Sequence, residues 1–267
     1  MNFKNVSLKG IRNIRELSQC EVNSGKIKQN KLFRGPRLDK ISSKRRNRFL
    51  KEYNIKTVID LRTKVELEES KSFNYPNDVD FHHIPVLNHS FFGITHEKNM
   101  RSALFKESKK IKDDSFFDDY MFKMYKAIVF DEYSQAQFKL FFDVLLNSKP
   151  GGILFHCAGG KDRTGIAALF ILTILGASKS TILDDYSLSD IANKRHNTTL
   201  TILMKILLPY KNFRKLLIEM LYAKREYLEK TIKAIEEEYG SVLSFLENVI
   251  GIDKIKQEKL KDMFLNK

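Results

Sequence analysis

The chain has no tryptophan, only two cysteines, only five prolines and no long uninterrupted apolar run. Each scarcity removes a class of protein. Two cysteines in 267 residues cannot form a disulfide scaffold, and they suit a reducing compartment. The longest nearly apolar stretch, Gly165 to Ala177, is too short to span a bilayer. The opening MNFKNVSLKG lacks the apolar centre that a secretory signal needs. No repeat or low-complexity block is present, and 42% hydrophobic with 30% charged residues excludes a fibrous or disordered chain. The expectation is a soluble cytoplasmic protein, and with no convincing linker anywhere, a single domain over 1–267.

What the chain does have is positive charge, a net of +14. The first 50 residues hold seven Lys, seven Arg and three acids (Glu16, Glu21, Asp39), a net of +11; the remaining residues net only +3. Such a skew fits an anionic partner, whether nucleic acid, membrane surface or phosphorylated substrate, and equally a basic surface that only keeps the chain soluble.

Periodicity and turn residues give a coarse map. Val22 to Leu38 reads as irregular, with turn signals at Asn23-Ser24-Gly25 and Gly35-Pro36. A short helix follows Ser42 or Ser43, with Phe49 and Leu50 facing inward. Thr57 to Leu61 reads as a buried strand, and Phe81 to Val86 as an edge strand because of Pro85. Helical spacing runs from about 100 to 147, with Tyr120, Met124 and Ile128 on one stripe and Phe138, Phe141, Phe142 and Leu145 on another. Ile153 to Phe155 reads as a short buried strand, and Gly165 to Leu175 as an apolar helix closed by Gly176. A helix from Thr181 to Lys194 with Asp184 as capping partner comes next, then helix from about 198 to 239 broken near Pro209 and ended by Gly240, and two short helices about Gly251. Strands interleaved with helices predict an α/β fold with a mostly parallel sheet and a helical C-terminal part.

The segment from Ile153 to Gly165 carries the chemistry. It runs strand, loop, helix, and the loop reads His156-Cys157-Ala158-Gly159-Gly160-Lys161-Asp162-Arg163-Thr164. A loop of this length can turn its backbone N–H groups toward one point, making a nest for a phosphate dianion. The following helix N-terminus adds its partial positive charge there. Gly159 and Gly160 supply backbone freedom, and Arg163 offers a planar fork for two phosphate oxygens. The same groups favour a thiolate at Cys157 as nucleophile. Thr164 is placed to donate a hydroxyl hydrogen bond to that sulfur. Ala158, Gly159, Gly160, Lys161, Asp162, Arg163 and Thr164 are therefore the candidate substrate-binding residues.

This loop resembles the signature of the cysteine-dependent protein tyrosine phosphatases, His-Cys-x5-Arg-Thr/Ser. More narrowly, it is similar to the His-Cys-x-x-Gly-Lys-Asp-Arg-Thr-Gly loop of the atypical bacterial tyrosine phosphatases, a group that includes dual protein and phosphoinositide phosphatases. The likeness extends beyond the loop. Asn13-Ile14-Arg15-Glu16-Leu17 resembles the family's Asn-x-Arg-Asp-Leu, and Leu32 to Leu38 its Tyr-Arg-Ser-x-x-Leu. Val58 to Arg62 with Glu66 resembles Asp-Leu-Arg-x-x-x-Glu, and Ile182 to Tyr186 and Glu238 to Ser241 also fit. Glu16 replaces the usual Asp, no Gly-Gly follows Leu17, and Gly159 stands where the family usually has Ala.

The resemblance implies a cysteine-phosphatase fold and a phosphocysteine mechanism with Cys157 as nucleophile. It gives His156, Asp60 and Arg62 supporting roles. Without tryptophan, the Trp-Pro-Asp acid loop of many relatives is excluded, and the atypical group's loop acid corresponds to Asp162. Asp118 or Asp119, about 40 residues before the nucleophile, is the competing source of the proton. The implied substrates are phosphotyrosine proteins, phosphoinositides or both. Lys161, with Arg34 and Arg37, offers cations for a second phosphate. No metal, organic cofactor or nucleic-acid partner is expected: His82 and His83, adjacent on a strand, point to opposite faces, and no nucleic-acid reading motif is present. Peripheral contact with an anionic membrane fits the charge. Three further readings stay open: an inositol-phosphate phosphatase, a non-catalytic phosphate-binding module, and, for Leu200 to Leu208, a mobile lid as against a packed core helix. Cys20 reads as an ordinary free thiol, with a protective disulfide to Cys157 under oxidation as the less favoured alternative.

Overall fold

The structure is a computed structural model that describes residues 7–8, 11–70, 74–89, 95, 105 and 115–266. Five strands form the central sheet. They are β3 (Arg15–Glu16), β5 (Leu32–Gly35), β6 (Ile55–Asp60), β7 (Asp80–His83) and β8 (Gly152–His156). Their order is β3-β5-β8-β6-β7, with every neighbouring pair parallel except β3 and β5. Two small antiparallel pairs lie outside it: β1 (Ser7–Leu8) with β2 (Ile11–Arg12), and β4 (Lys26–Ile27) with β9 (Leu265–Asn266). The expected α/β class, mostly parallel sheet and helical C-terminal part are all present.

Alternation along the strands builds a layer on each face. Phe33, Val58 and Leu154 pack beneath α1 (Ser43–Glu52) with Phe49 and Leu50. Leu32, Ile59, Ile153 and Phe155 point the other way, into the larger core. That core is made by α3 (Ser115–Phe130), α4 (Glu132–Leu146), α5 (Asp162–Ile174), α8 (Arg225–Tyr239), α9 (Val242–Asn248) and α10 (Lys254–Phe264). Helix α5 lies at its centre, with only Thr173 of its residues not buried, which is why its sequence is apolar on every side. Helix α6 (Lys179–Leu207) has 29 residues, buried mainly in its first half, and turns at Pro209 into α7 (Lys211–Glu219).

Two expectations are corrected. The segment read as irregular contains β5, a strand of the central sheet, hidden from a search for β-branched runs by its sequence Leu-Phe-Arg-Gly. Helix α6 is capped by Ser178, whose hydroxyl accepts from the Thr181 N–H at 3.1 Å, rather than by Thr181 with Asp184. The helical pattern expected from 100 lies outside the described residues up to 114, Phe105 excepted. Register positions the site. Gly35, Asp60 and His156 align across β5, β6 and β8, so three parallel strands end together where the loop begins. In open parallel sheets this carboxyl edge is where ligands bind.

Candidate active site

Cys157 follows directly from β8 and is buried, as are Ala158 and every residue from Gly160 to Thr164. The loop is braced from behind through four consecutive carbonyls. The Arg37 N–H donates to Ala158 O (3.2 Å) and Asn13 Nδ2 to Gly159 O (2.8 Å). Arg34 Nη2 donates to Gly160 O (3.1 Å) and to Lys161 O (3.4 Å). Because a peptide is planar and trans, a carbonyl drawn one way sends the next N–H the other way. The N–H groups of Gly159, Gly160, Lys161 and Asp162 are thus turned away from the braces. Gly160 is required here: its φ is +69°, and a Cβ would lie 2.5 Å from the Gly35 carbonyl oxygen. Gly159 is under no such constraint, since a Cβ there would meet nothing within 4 Å.

The brace is itself a buried ion network. Asp185 takes Arg15 Nε at 2.8 Å on one oxygen and pairs with Arg34 through the other. Burial pushes the Asp185 carboxyl up, but Arg15 and Arg34 outweigh it and hold it below the ordinary carboxylate range. Arg15 also donates to Asn13 Oδ1 (2.7 Å), so a single network orients both Asn13 and Arg34. The expected role of Arg34, with Lys161 and Arg37, as a cation for a second phosphate does not fit its place in the fold. Here Arg34 is fully buried behind the loop, and Lys161 Nζ donates to the carbonyls of Met220 (2.7 Å) and Tyr222 (3.1 Å).

Arg163 is held by Glu66 through two bonds, 2.6 Å and 3.1 Å, with Leu61 O at 3.3 Å from Nη1. Burial pushes Arg163 down, yet Glu66 and Cys157 raise it above the usual guanidinium range, so it stays cationic. Glu66 is fixed in turn by a capping box with Thr63 at the start of α2 (Lys64–Glu68). Asp60 accepts from Arg62 N, Nε and Nη2 and lies 3.7 Å from His156 Nδ1. Burial pushes Asp60 up, but His156 and Arg62 hold it at about 2. His156 is lowered by burial despite Asp60. Near neutrality the lowered imidazole is uncharged, and Arg62 is the carboxylate's cationic partner.

The candidate acids separate by position. Asp162 lines a cleft of about 570 Å³ over the loop. Its Oδ1 accepts from the Tyr125 hydroxyl at 2.5 Å and lies 3.6 Å from Lys161 Nζ. Tyr125 also shares a hydrogen bond with the Tyr186 hydroxyl. Burial, then Asp162, raises both phenols well above their ordinary value. Asp119 is exposed on α3, and the side chain of Asp118 lies outside the described residues. Thr164 Oγ1 is buried and makes no hydrogen bond, so the expected bond to the Cys157 sulfur is not formed. Cys20 is a buried free thiol, pushed up by burial and by Asp185. Among the described residues no cluster of three or more His, Cys, Asp or Glu could hold a metal ion. His83 Nε2 instead pairs with Arg62 O at 2.8 Å. Arg12, Arg37, Lys40 and Arg45 line the same cleft, which is where part of the N-terminal charge is placed.

The model of the tyrosine phosphatase family matches residues 6–266. The chain belongs to that family. It is 34% identical over 110 residues to a Cupriavidus necator protein assigned as a tyrosine-protein phosphatase. It is 44% identical over 57 residues to a tyrosine-protein phosphatase of Nostoc commune. These matches span 40% and 21% of this chain, and only 39% and 19% of the two relatives. The triple specificity protein phosphatase PtpB of Mycobacterium tuberculosis is 24% identical, covering 97% of this chain and 98% of that protein. Glu66, Asn13, Arg15, Asp185, Tyr125 and Tyr186 belong to this site without a role that the sequence alone assigns them. The Thr-x-x-Glu spacing of Thr63 and Glu66 was a local signal for the first. Nothing local marks Tyr125, whose partner is 37 residues away.

Proposed function

We propose that this family member is a phosphoric monoester hydrolase acting on phosphotyrosine in proteins, through one catalytic domain spanning 1–267 in the cytoplasm. The observation that carries the proposal is the arrangement around Cys157: four loop carbonyls tied back behind it and Arg163 fixed by Glu66 beside it. The Cys157 thiolate attacks phosphorus in line, forming the S–P bond as the bond to the tyrosyl oxygen breaks. Loop N–H groups and Arg163 hold the equatorial oxygens. Asp162 gives its proton to the leaving oxygen from Oδ2, the oxygen not engaged by Tyr125. Water then attacks phosphorus, returns a proton to Asp162 and frees the thiolate with release of phosphate. His156, Asp60 and Arg62 support the loop, and the reaction calls on no metal or organic cofactor.

The basic lining of the cleft favours a second reading in which phosphoinositides are also substrates, with Arg12, Arg37, Lys40 and Arg45 meeting further phosphates. The first test is vanadate-sensitive hydrolysis of p-nitrophenyl phosphate. Cys157→Ser abolishes it and prevents trapping of a phosphoenzyme; substantial activity in that variant overturns the mechanism. Hydrolysis of phosphopeptides, phosphoinositides and soluble inositol phosphates in parallel then ranks the substrates.

A further inference from the structure

The turn between α6 and α7 presents an apolar surface that the reaction does not use. Ile206 is 75% exposed, Leu207 64%, Tyr210 58%, Ile202 54% and Leu203 47%. The opposite side of the hairpin is anchored. Leu216 is buried, Asn197 Nδ2 donates to Leu221 O (3.0 Å), Arg214 Nη1 donates to Leu208 O (2.9 Å), and Phe105 packs on Phe213. Charge along the hairpin has one sign. Between Asp190 and Glu219 there are six Lys or Arg and no acid. Lys205 and Lys211, beside the apolar cluster, are exposed and make no ion pair among the described residues.

We infer that this hairpin tip docks on an anionic phospholipid surface. Bulky apolar side chains set among lysines at a helix end are what interfacial binding requires: the former enter the acyl boundary while the latter meet lipid phosphates. Charge argues against a second copy as the occupant, because a two-fold contact would set cation-only strips against each other. The hairpin does not cross the bilayer; among the described residues no helix is long and apolar enough to do so. The tip is coupled to the cleft by geometry. His196 and Asn197 line the cleft, and Ile206 lies ten residues beyond His196, about 15 Å along the helix axis. A docked tip thereby holds the cleft close to the membrane. Membrane contact thus falls on the hairpin rather than on the basic N-terminal residues that the charge count alone favours.

The test is co-sedimentation of the full chain with vesicles of phosphatidylcholine alone or mixed with phosphatidylserine. The wild type partitions onto the mixed vesicles and much less onto the neutral ones. Ile206→Asp combined with Leu207→Asp lowers that partitioning by about tenfold or more. Lys205→Glu combined with Lys211→Glu lowers it by about fivefold per lysine. Hydrolysis of p-nitrophenyl phosphate is unchanged in both, since none of the four residues touches the loop; if the aspartate pair misfolds, Ile206→Ser with Leu207→Ser supplies the same comparison. Three results overturn the inference. The wild type fails to sediment with mixed vesicles, or the aspartate pair sediments as well as wild type. Alternatively, sedimentation equilibrium without lipid shows a dimer that the aspartate pair dissolves, which assigns the face to a second copy. Vesicle binding is read separately from turnover, so failure here leaves the proposed reaction untouched.

Discussion

Replacing Tyr125 with Phe deletes one oxygen from the centre of the molecule and leaves the aromatic packing against Tyr186 and Tyr227 in place. The lost hydroxyl donates to Asp162 Oδ1 at 2.5 Å and bonds to Tyr186. Both phenols are held protonated, so the donor is present throughout the working pH range. As Asp162 gives up its proton the bond becomes one to a developing carboxylate, and a hydrogen bond to a charged group contributes about 1.5–3 kcal/mol, equivalent to roughly 10- to 100-fold in rate. Without it the carboxyl group can turn, and Oδ2 no longer stays directed at the leaving oxygen. In Tyr125→Phe, kcat for a phosphotyrosyl peptide therefore falls by about 10- to 100-fold. For p-nitrophenyl phosphate, whose leaving group needs little protonation, it changes by less than about threefold. The urea midpoint also drops, because the buried Tyr186 hydroxyl loses its partner at a cost of about 1–2 kcal/mol. Steady-state kinetics on the two substrates separate positioning from general damage. Equal slowing on both, or none on the peptide, refutes the reasoning.

Three other perturbations probe the frame around the loop. Gly160→Ala forces a Cβ into the Gly35 carbonyl at positive φ, and we expect loss of vanadate binding in calorimetry together with a lower melting temperature; an unchanged vanadate affinity would contradict the close approach. Glu66→Gln leaves Arg163 buried without its carboxylate, lowering unfolding free energy by about 3 kcal/mol in denaturant titrations. Vanadate, which supplies negative charge beside Arg163, restores part of that loss. Asp60 sits at about 2 in the folded chain against an ordinary 3.8, so its contribution is full above the ordinary value and disappears as pH falls toward 2. The size is about 2 kcal/mol. Urea midpoints of wild type fall across that interval more steeply than those of Asp60→Asn; parallel curves would show that Asp60 is not the titrating group.

The phosphate loop was legible because strand, loop and helix are consecutive from Gly152 to Ile174, and each choice of residue has a local reason. The layers of the sheet were half legible: β6 and β8 carry runs of apolar residues, whereas β5 hides a buried Arg34 in a four-residue strand. Arg34 shows why the remainder was not. In a sequence it is one of 13 arginines, and only the fold brings Asp185 and two loop carbonyls to it. Lys161 had the right chemistry for a phosphate, but its carbonyl partners come from a turn 59 and 61 residues later. The basic N-terminal segment was visible as a sum; its division into buried braces (Arg15, Arg34) and cleft lining (Arg12, Arg37, Lys40, Arg45) depends on tertiary contacts.

The brace behind the loop also bears on how the molecule comes into being. Asn13 reaches Gly159 across 146 residues, and Arg15 reaches Asp185 across 170. During synthesis at about 5–20 residues per second, Arg15 and Arg34 emerge roughly 10–30 s before the carboxylate that neutralises them. Closing loops of that length carries an entropic cost that local helices do not incur. Helix α5 and the aromatic core can therefore assemble before the anion cradle is tensioned. Refolding followed by circular dichroism should run ahead of recovered catalysis, with turnover marking the moment when the N-terminal braces are tied to the loop and to Asp185.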